Sequence, residues 1–362
     1  MFVHRIPVFF AAAVGVAAFP AFADTIDPET YSADLAVGES ATITKTVVVE
    51  ASGPSDAVID VHFLIDTSGS MGGEINAAKD ASSDLFASLE TTFGDVAASV
   101  GVFSEGAFLD DVRPNANVIF GSGLSTNNTT FTDNVNDVSL GVPDGGGDFP
   151  ESGYTGIALS GDNLDWRAGS NRFMFVFTDA SAKGDLAGAQ AALAAEDISL
   201  VTLAYGDLDT ITASYGDPLG GTVFSSSTSA ADIIADVTAG ITAGFSEYET
   251  VTVDDLGLGL PLGIDVSPAC TSADIGACVG AEAIGDYDRS EDRAFTFDVT
   301  FTRTAEGDAE FFTNALVDGG IVAREFDSFT DGTGPSPVPL PAGFPLLLTA
   351  FGGLALLRRR AA

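Results

Sequence analysis

Apolar and polar positions follow two different rhythms along this chain. The run Asp60-Val61-His62-Phe63-Leu64-Ile65 is nearly continuous in its apolar residues, as a strand covered on both faces would be. Residues 173–180, Phe-Met-Phe-Val-Phe-Thr-Asp-Ala, share that texture. Between them the spacing predicts a helix over 74–92, with Ile75, Leu85, Phe86 and Leu89 inward and Gly94 as its stop. Strands are predicted over 96–103 and 116–120, then a polar loop around Asn127 and Asn128, then a short helix over 154–164. Segments 186–195, 198–204, 222–224 and 230–245 continue the alternation of helix and strand. Strands separated by helices imply a mostly parallel sheet with helices on both faces. The expectation is an α/β, doubly wound domain over residues 57–246.

From Tyr248 onward the period changes to two. Phe295, Phe297, Val299 and Phe301 fall on one face of Ala294–Thr302, and Val251 with Val253, then Leu262, Ile264 and Val266, repeat the pattern. Asp318-Gly319-Gly320 reads as a hairpin turn between strands over 311–317 and 321–329. Residues 247–330 are therefore expected to form an antiparallel β-sandwich, small for its type. Residues 24–56 hold one further alternating strand, with Ile43, Val47 and Val49 on one face and Thr44, Thr46 and Val48 on the other. It has no slot in the parallel sheet, and adding it helps complete the sandwich.

Composition adds compartment and partners. The 362 residues are 46% hydrophobic, enough for a sizeable core and two domains. Residues 1–23 carry His4 and Arg5, an apolar stretch from Val8 to Phe19, and Ala21-Phe22-Ala23. That is the form of a secretory signal peptide cleaved before Asp24. Residues 331–341 form a Gly/Pro/Ser linker, and 342–362 an apolar segment closed by Arg358-Arg359-Arg360. Setting aside Arg5 and these three arginines leaves 10 Lys+Arg against 52 Asp+Glu, a net charge of −42. Such a field repels polyanions, which argues against nucleic acid as a partner, and concentrates divalent cations. The apolar tail is short for a membrane span, which needs about 20 residues. Any membrane contact is expected through that tail alone.

The candidate chemistry sits just beyond the first apolar run, in Asp66-Thr67-Ser68-Gly69-Ser70-Met71. In an open α/β sheet ligands bind beyond the C-terminal ends of strands. Two hydroxyls and a carboxylate at alternate loop positions can converge on a hard divalent cation, and Mg²⁺ is commonly held by few protein charges. Gly145-Gly146-Gly147-Asp148-Phe149-Pro150-Glu151 opens a helix with further carboxylates, and the second strand ends in Asp179. Together these loops resemble a von Willebrand factor A domain with a metal-ion-dependent adhesion site, and Asp148–Glu151 and Thr178–Ala180 are most similar to the A-like domain of integrin β subunits. The resemblance implies that Ser68, Ser70 and Glu151 touch the metal directly, with Asp66 and Asp179 acting largely through water. Many A domains use a threonine as the third ligand, so Thr155 is the alternative to Glu151. The ion implied is Mg²⁺, or Mn²⁺ or Ca²⁺ in its place. Glu105 and Asp148 fall where ligands of a flanking Ca²⁺ site would lie, although Gly146 replaces an asparagine there. Gly73-Glu74 replaces the aspartate pair of a second flanking site. Integrin β subunits also insert this domain into a β-sandwich, which would account for the strand at 40–50.

Cys270 and Cys278, the only cysteines, form an isolated close pair in an exported chain, and a disulfide is expected. Val338-Pro339-Leu340-Pro341-Ala342 resembles the PEP-CTERM sorting signals in their VPLPA variant. That resemblance implies an exosortase-type processing enzyme and delivery to the surface, envelope or matrix of a Gram-negative bacterium, by way of the inner membrane. No Ser-His-Asp set, H-E-x-x-H or phosphate-cradling Gly-Lys loop is present, and enzyme activity is not expected. The reading that results is an exported adhesion or matrix protein that captures an acidic partner at a Mg²⁺-centred site. The alternatives are a structural surface protein in which divalent ions only stabilise the fold, and a divalent-dependent hydrolase.

Overall fold

A computed structural model describes residues 24–104, 123–142 and 149–331. Strands β1 (Thr25–Asp27), β2 (Thr30–Asp34) and β3 (Ser40–Val49) come first, followed by β4 (Ala57–Asp66), α1 (Gly72–Phe93) and β5 (Gly94–Phe103). Then come α2 (Asn128–Asp137), α3 (Gly153–Asn163), β6 (Asn171–Thr178), α4 (Leu186–Ala195) and β7 (Ile198–Ala204). A short α5 (Leu208–Ile211) runs into a π-helical turn over Thr212–Gly216, and β8 (Thr222–Ser225) and α6 (Ala230–Gly244) follow. The remaining strands are β9 (Glu247–Asp254), β10 (Ile264–Ala273), β11 (Ala277–Val279), β12 (Glu282–Asp288), β13 (Arg293–Arg303), β14 (Ala309–Val317) and β15 (Gly320–Thr330).

The α/β domain is a five-stranded sheet in the order β5-β4-β6-β7-β8, parallel throughout. All ten residues of β4 are buried, which is why its sequence does not alternate. On one face Phe63 meets Phe131 of α2 and Phe175 of β6, with ring centroids 5.4 and 5.7 Å apart. On the other face His62 lies between Ser99 and Ser160, its ring nitrogens 2.9 and 3.0 Å from their hydroxyls. Small residues let the helices of this face close up. A Cβ on Gly161 of α3 would lie 2.9 Å from that of Ala192 on α4.

The remaining strands make two facing sheets, β1-β3-β13-β10 and β11-β12-β9-β14-β15-β2. Strand β13 buries every second residue from Arg293 to Arg303, and the Phe301 ring packs 4.9 Å from that of Phe329. The turn after β14 has positive φ at Asp318 (47°) and Gly319 (82°), the conformation of a tight two-residue hairpin. One pair departs from the antiparallel expectation, because β2 runs parallel to β15. A disulfide joins Cys270 to Cys278, with Cα atoms 5.3 Å apart.

Strand β3 is interior to its sheet, between β1 and β13. The chain therefore leaves the sandwich after β3 and returns at β9. Arg289 holds both crossings, donating to the carbonyls of Glu50 and Phe245 at 2.6 and 2.8 Å, and to both Asp24 carboxylate oxygens at 2.7 Å. A second junction lies at the N-terminal ends of the parallel strands. Asp95 accepts from Arg167 at 2.6 Å and from Arg324 of β15 at 3.0 Å. Asn171 Nδ2 donates to the carbonyls of Val58 and Ile321, each at 3.0 Å. Gly169, with φ of +70°, lies where a Cβ would be 2.6 Å from Leu256 and 2.9 Å from Ile321.

Two expectations follow. Replacing residues 52–245 by a short Gly/Ser linker should leave a sandwich that melts cooperatively, whereas residues 247–331 alone should aggregate through the unpaired β13 edge. Calorimetry and size-exclusion chromatography of both chains check this. The second concerns pH. Burial lowers the His62 pKa from 6.5 to about 3, so the unfolded chain binds a proton that the folded one refuses. Its contribution to stability is full above 6.5 and lost as pH falls toward 3, with a slope of at most about 1.4 kcal/mol per pH unit. In urea titrations between pH 7 and 4, His62→Gln should show a shallower loss on acidification than the parent. Equal slopes would remove His62 as the cause.

Candidate metal centre

The strand order places a topological switch between β4 and β6, since the chain goes from β4 to one side for β5 and to the other for β6. Ligands of open α/β sheets lie beyond the strand tips at such a point. Asp66 closes β4 and Thr178 closes β6, and the Thr178 hydroxyl donates to Asp66 Oδ2 at 2.8 Å. The Ser68 N–H donates to Asp66 Oδ1 at 2.8 Å, so both oxygens of this buried carboxylate are held. Thr67 turns inward and pins the loop, its N–H donating to the Phe103 carbonyl at 2.8 Å and its hydroxyl to the carbonyls of Phe103 and Val142. With Thr67 inward, Ser68 and Ser70 are presented together, their Oγ atoms 3.4 Å apart. Ser68 is buried and Ser70 exposed, so the hydroxyl pair leads from the interior to the surface.

Glu151 is 1% exposed and arrives just before α3. Its backbone is clamped to the loop after β6, by its N–H to the Ser181 carbonyl at 2.9 Å and its carbonyl to the Lys183 N–H at 2.6 Å. Asp179 begins that loop and is half-buried, and its Oδ1 has no hydrogen-bond partner among the described residues. Gly206 permits a close approach here, because a Cβ would lie 2.2 Å from the Asp179 carbonyl. Thr155 sits in the first turn of α3 against Gly184, where a Cβ would meet its hydroxyl at 2.2 Å. Glu105 and Asp148, the flanking-site candidates, lie outside the described residues, as do the 116–120 strand, the N-terminal signal segment and most of the C-terminal tail.

The electrostatics are those of crowded acid. Burial raises the Asp66 pKa to about 6 and the nearby Asp179 charge adds to the rise, while hydrogen bonds from Ser68 and Thr178 oppose it. Tyr215, fully buried behind the cluster, has its phenol pushed well up by burial and by Asp66, with Glu151 also contributing. Gly153 makes room for it, since a Cβ there would lie 2.1 Å from the Tyr215 hydroxyl oxygen. Tyr215 carries no motif that marks it in the sequence, and Thr178 stands there within the Thr178–Ala180 resemblance without a role of its own.

Residues 60–214 match the von Willebrand factor A domain model. Over that span the α/β domain (the A domain) is similar to von Willebrand factor A domains. Among solved structures, a von Willebrand factor type A protein from Catenulispora acidiphila is similar at 15% identity and a TM-score of 0.41, covering 87% of this chain and 75% of the other. The pilus adhesin SpaC from Lactobacillus rhamnosus GG, in an open conformation, is similar at 10% identity and a TM-score of 0.39, covering 79% of this chain and 45% of that one. Likenesses this loose carry no functional argument. Curated proteins give no match.

The A-domain rim fits a hard divalent cation on its own chemistry. All its donors are oxygens, and one buried carboxylate oxygen of Asp179 lacks a hydrogen-bond partner. Among the described residues no three acidic, histidine or cysteine side chains gather as a metal cluster, so the serine hydroxyls would have to complete the set. Without a cation the Asp179 charge bears directly on Asp66. Asp179→Asn should therefore raise the melting temperature in chelator, by the equivalent of about 1 kcal/mol, and reduce the further rise on adding Mg²⁺. Differential scanning fluorimetry with EDTA and with Mg²⁺ reads both arms. A lower melting temperature in EDTA would mean that Asp179 holds the loop rather than straining it.

Proposed function

We propose that this chain is an exported, surface- or matrix-directed binding protein that captures an acidic partner through a divalent cation at the A-domain rim. The observation that carries the reading is the convergence of Asp66, Thr178, Asp179 and the Ser68–Ser70 hydroxyl pair at the switch point. In this reading Ser68, Ser70 and Glu151 hold the cation, and Asp66 and Asp179 supply charge from behind them. Thr67 and Thr178 keep the loop and the Asp66 carboxylate in place. A bound Mg²⁺ would supply a localised positive charge, and a carboxylate from the partner would complete its coordination.

The charge of the chain supports an acidic partner bridged by metal. With Lys+Arg at 14 against Asp+Glu at 52, a direct approach of another acidic surface is repulsive, and an ion at the contact reverses the local sign. Export follows in this proposal from the signal-like residues 1–23, and surface or matrix delivery from the Val-Pro-Leu-Pro-Ala tail with its exosortase-type processing.

The test separates capture from stabilisation. The chain should retain a surface-extract component in Mg²⁺ and release it in EDTA, and Ser68→Ala should weaken that capture by about 10-fold or more. The variant should melt in EDTA at the parent's temperature, because it removes one hydroxyl and no core volume. Capture that survives both EDTA and Ser68→Ala sinks the proposal. If Mg²⁺ raises the melting temperature and no binding depends on it, the ion serves the fold alone.

A further inference from the structure

Lysine is scarce in this chain, which has only Lys45, Lys79 and Lys183. One of the three is sealed inside the sandwich, for the Lys45 side chain is 0% exposed. It points inward from β3 in register with Val47 and Val49. Its ammonium nitrogen lies 5.0 Å from the Phe301 ring centroid, contacts Glu325 Oε2, and stands 3.6 Å from Asp327 Oδ1. Both carboxylates are also 0% exposed. They sit two residues apart on β15, and so on one face of that strand. Tyr31, stacked on Phe301 with ring centroids 5.5 Å apart and edge-on to Phe329 at 5.9 Å, helps wall the group off from water.

As an ion cluster this is poorly balanced. One ammonium faces two carboxylates in a dry interior, and neither Glu325 Oε1 nor Asp327 Oδ1 has a hydrogen-bond partner among the described residues. A single counter-charge does not offset the desolvation of two buried carboxylates. Burial accordingly pushes the Glu325 carboxyl up to about 7 and raises that of Asp327. The cluster thus sets the Lys45 nitrogen against a carboxyl that burial makes ready to hold a proton near neutrality, with a second acid beside them able to move a proton. The Thr313 hydroxyl donates to Asp327 Oδ2, leaving Oδ1 toward the nitrogen.

We propose that Lys45 and Glu325 condense within the folded sandwich to an amide cross-link, with Asp327 carrying the protons. Lys45 Nζ gives a proton to Asp327 and attacks Glu325 Cδ, forming the C–N bond. Asp327 passes a proton to the departing hydroxyl, the C–O bond breaks, and water leaves. An ammonium and a carboxylate together equal the amide plus one water, so no oxidant or cofactor is consumed, and Asp327 ends as it began. The reacting groups meet only when β3 of one sheet and β15 of the other have docked, so the reaction follows folding. Two buried charges become one neutral amide. The bond also ties the strand before the A domain to the last strand after it. Tension entering from the C-terminal side would then pass covalently from β15 to β3, rather than through hydrogen bonds between strands.

Intact mass spectrometry of the purified full chain tests this without any variant. The mass should be that of the processed, disulfide-bonded sequence less one further water. Trypsin should fail to cut after Lys45, and a branched peptide should join residue 45 to residue 325. Lys45→Arg and Asp327→Asn should each restore the full mass, the second while keeping both bonding partners. A parent chain with no water missing overturns the proposal, as does a Lys45 amine that reacts with an acylating label after denaturation. A branch at Asp327 instead of Glu325 overturns the assignment of roles.

Discussion

The Arg289 guanidinium sets the constraint on which the molecule depends. Its donors bind Asp24 near the first described residue, the Glu50 carbonyl where the chain leaves the sandwich, and the Phe245 carbonyl where it returns. Arg289 itself belongs to the loop between β12 and β13, and its N–H donates to the Ser246 carbonyl at 3.0 Å. Segments far apart in sequence thus share one cation. The sandwich closes with the whole A domain looped out between β3 and β9, because β3 lies inside one sheet and β13 pairs with it along ten residues. The Asp95–Arg324 and Asn171–Ile321 contacts add a second hold on the same end of the A domain. The candidate metal centre lies at the other end. Ten residues of β4 separate the two, roughly 30 Å at the usual rise of an extended strand. One strand therefore serves both ends, with Asp60 gripping Arg167 at the base and Asp66 closing the tip.

The arginines explain why the acidic field is so little compensated. Arg167 binds Asp60 and Asp95, Arg172 binds Glu196, Arg293 binds Asp288, and Arg324 binds Asp95. Arg303 is fully buried and donates to the carbonyls of Ala305 and Gly307. These cations are used for internal junctions, so few remain to face a partner. A chain with so large an excess of acidic residues has little means of attracting an acidic ligand directly. In the proposed reading, a rim whose hydroxyls sit beside sunken carboxylates is where such a surface would hold a divalent cation.

Much of this was legible in the sequence wherever one physical rule acted alone. The apolar run of β4 reads as a doubly covered strand, and the period of two in β13 gives its buried face residue by residue. The sequence was harder to read where tertiary contacts overruled local pattern. Helix α2 was expected to be a polar loop, because Asn128–Asp137 offers only Phe131 and Val135 as apolar positions. Those two suffice, since Phe131 inserts between Phe63 and Phe86, and Asn127 caps the helix by accepting from the Thr130 N–H at 3.0 Å. Strand β2 has no alternating apolar face and is defined by its parallel partner β15, a pairing that no local signal announces. In the candidate site, Asp66 and the serines stand out because they follow a strand directly. Tyr215 and Gly153 do not, because their relation is a steric fit between distant segments.

Lys45 shows the same limit from the opposite side. It is in phase with Ile43, Val47 and Val49, and as a charged residue on an apolar face it interrupts the period-two pattern. Its neighbours give it meaning, and they come from the other sheet, at the far end of the chain. The same discontinuity that makes Arg289 necessary brings Lys45 and Glu325 together, for an interior first strand and a late strand meet only when the A domain has been looped out between them. A domain inserted in this way has both of its ends in one sandwich. Force on the A-domain tip must therefore arrive at β3 and β9 together, and the strength of the whole is set by how firmly those strands are bound to β15, the strand that leads to the C-terminal tail. Strand β9 reaches β15 through β14 and sheet hydrogen bonds, whereas β3 lies in the opposite sheet and shares no backbone ladder with β15. A cross-link from Lys45 to Glu325 would bind β3 to β15 directly, at the place where the sheets alone do not.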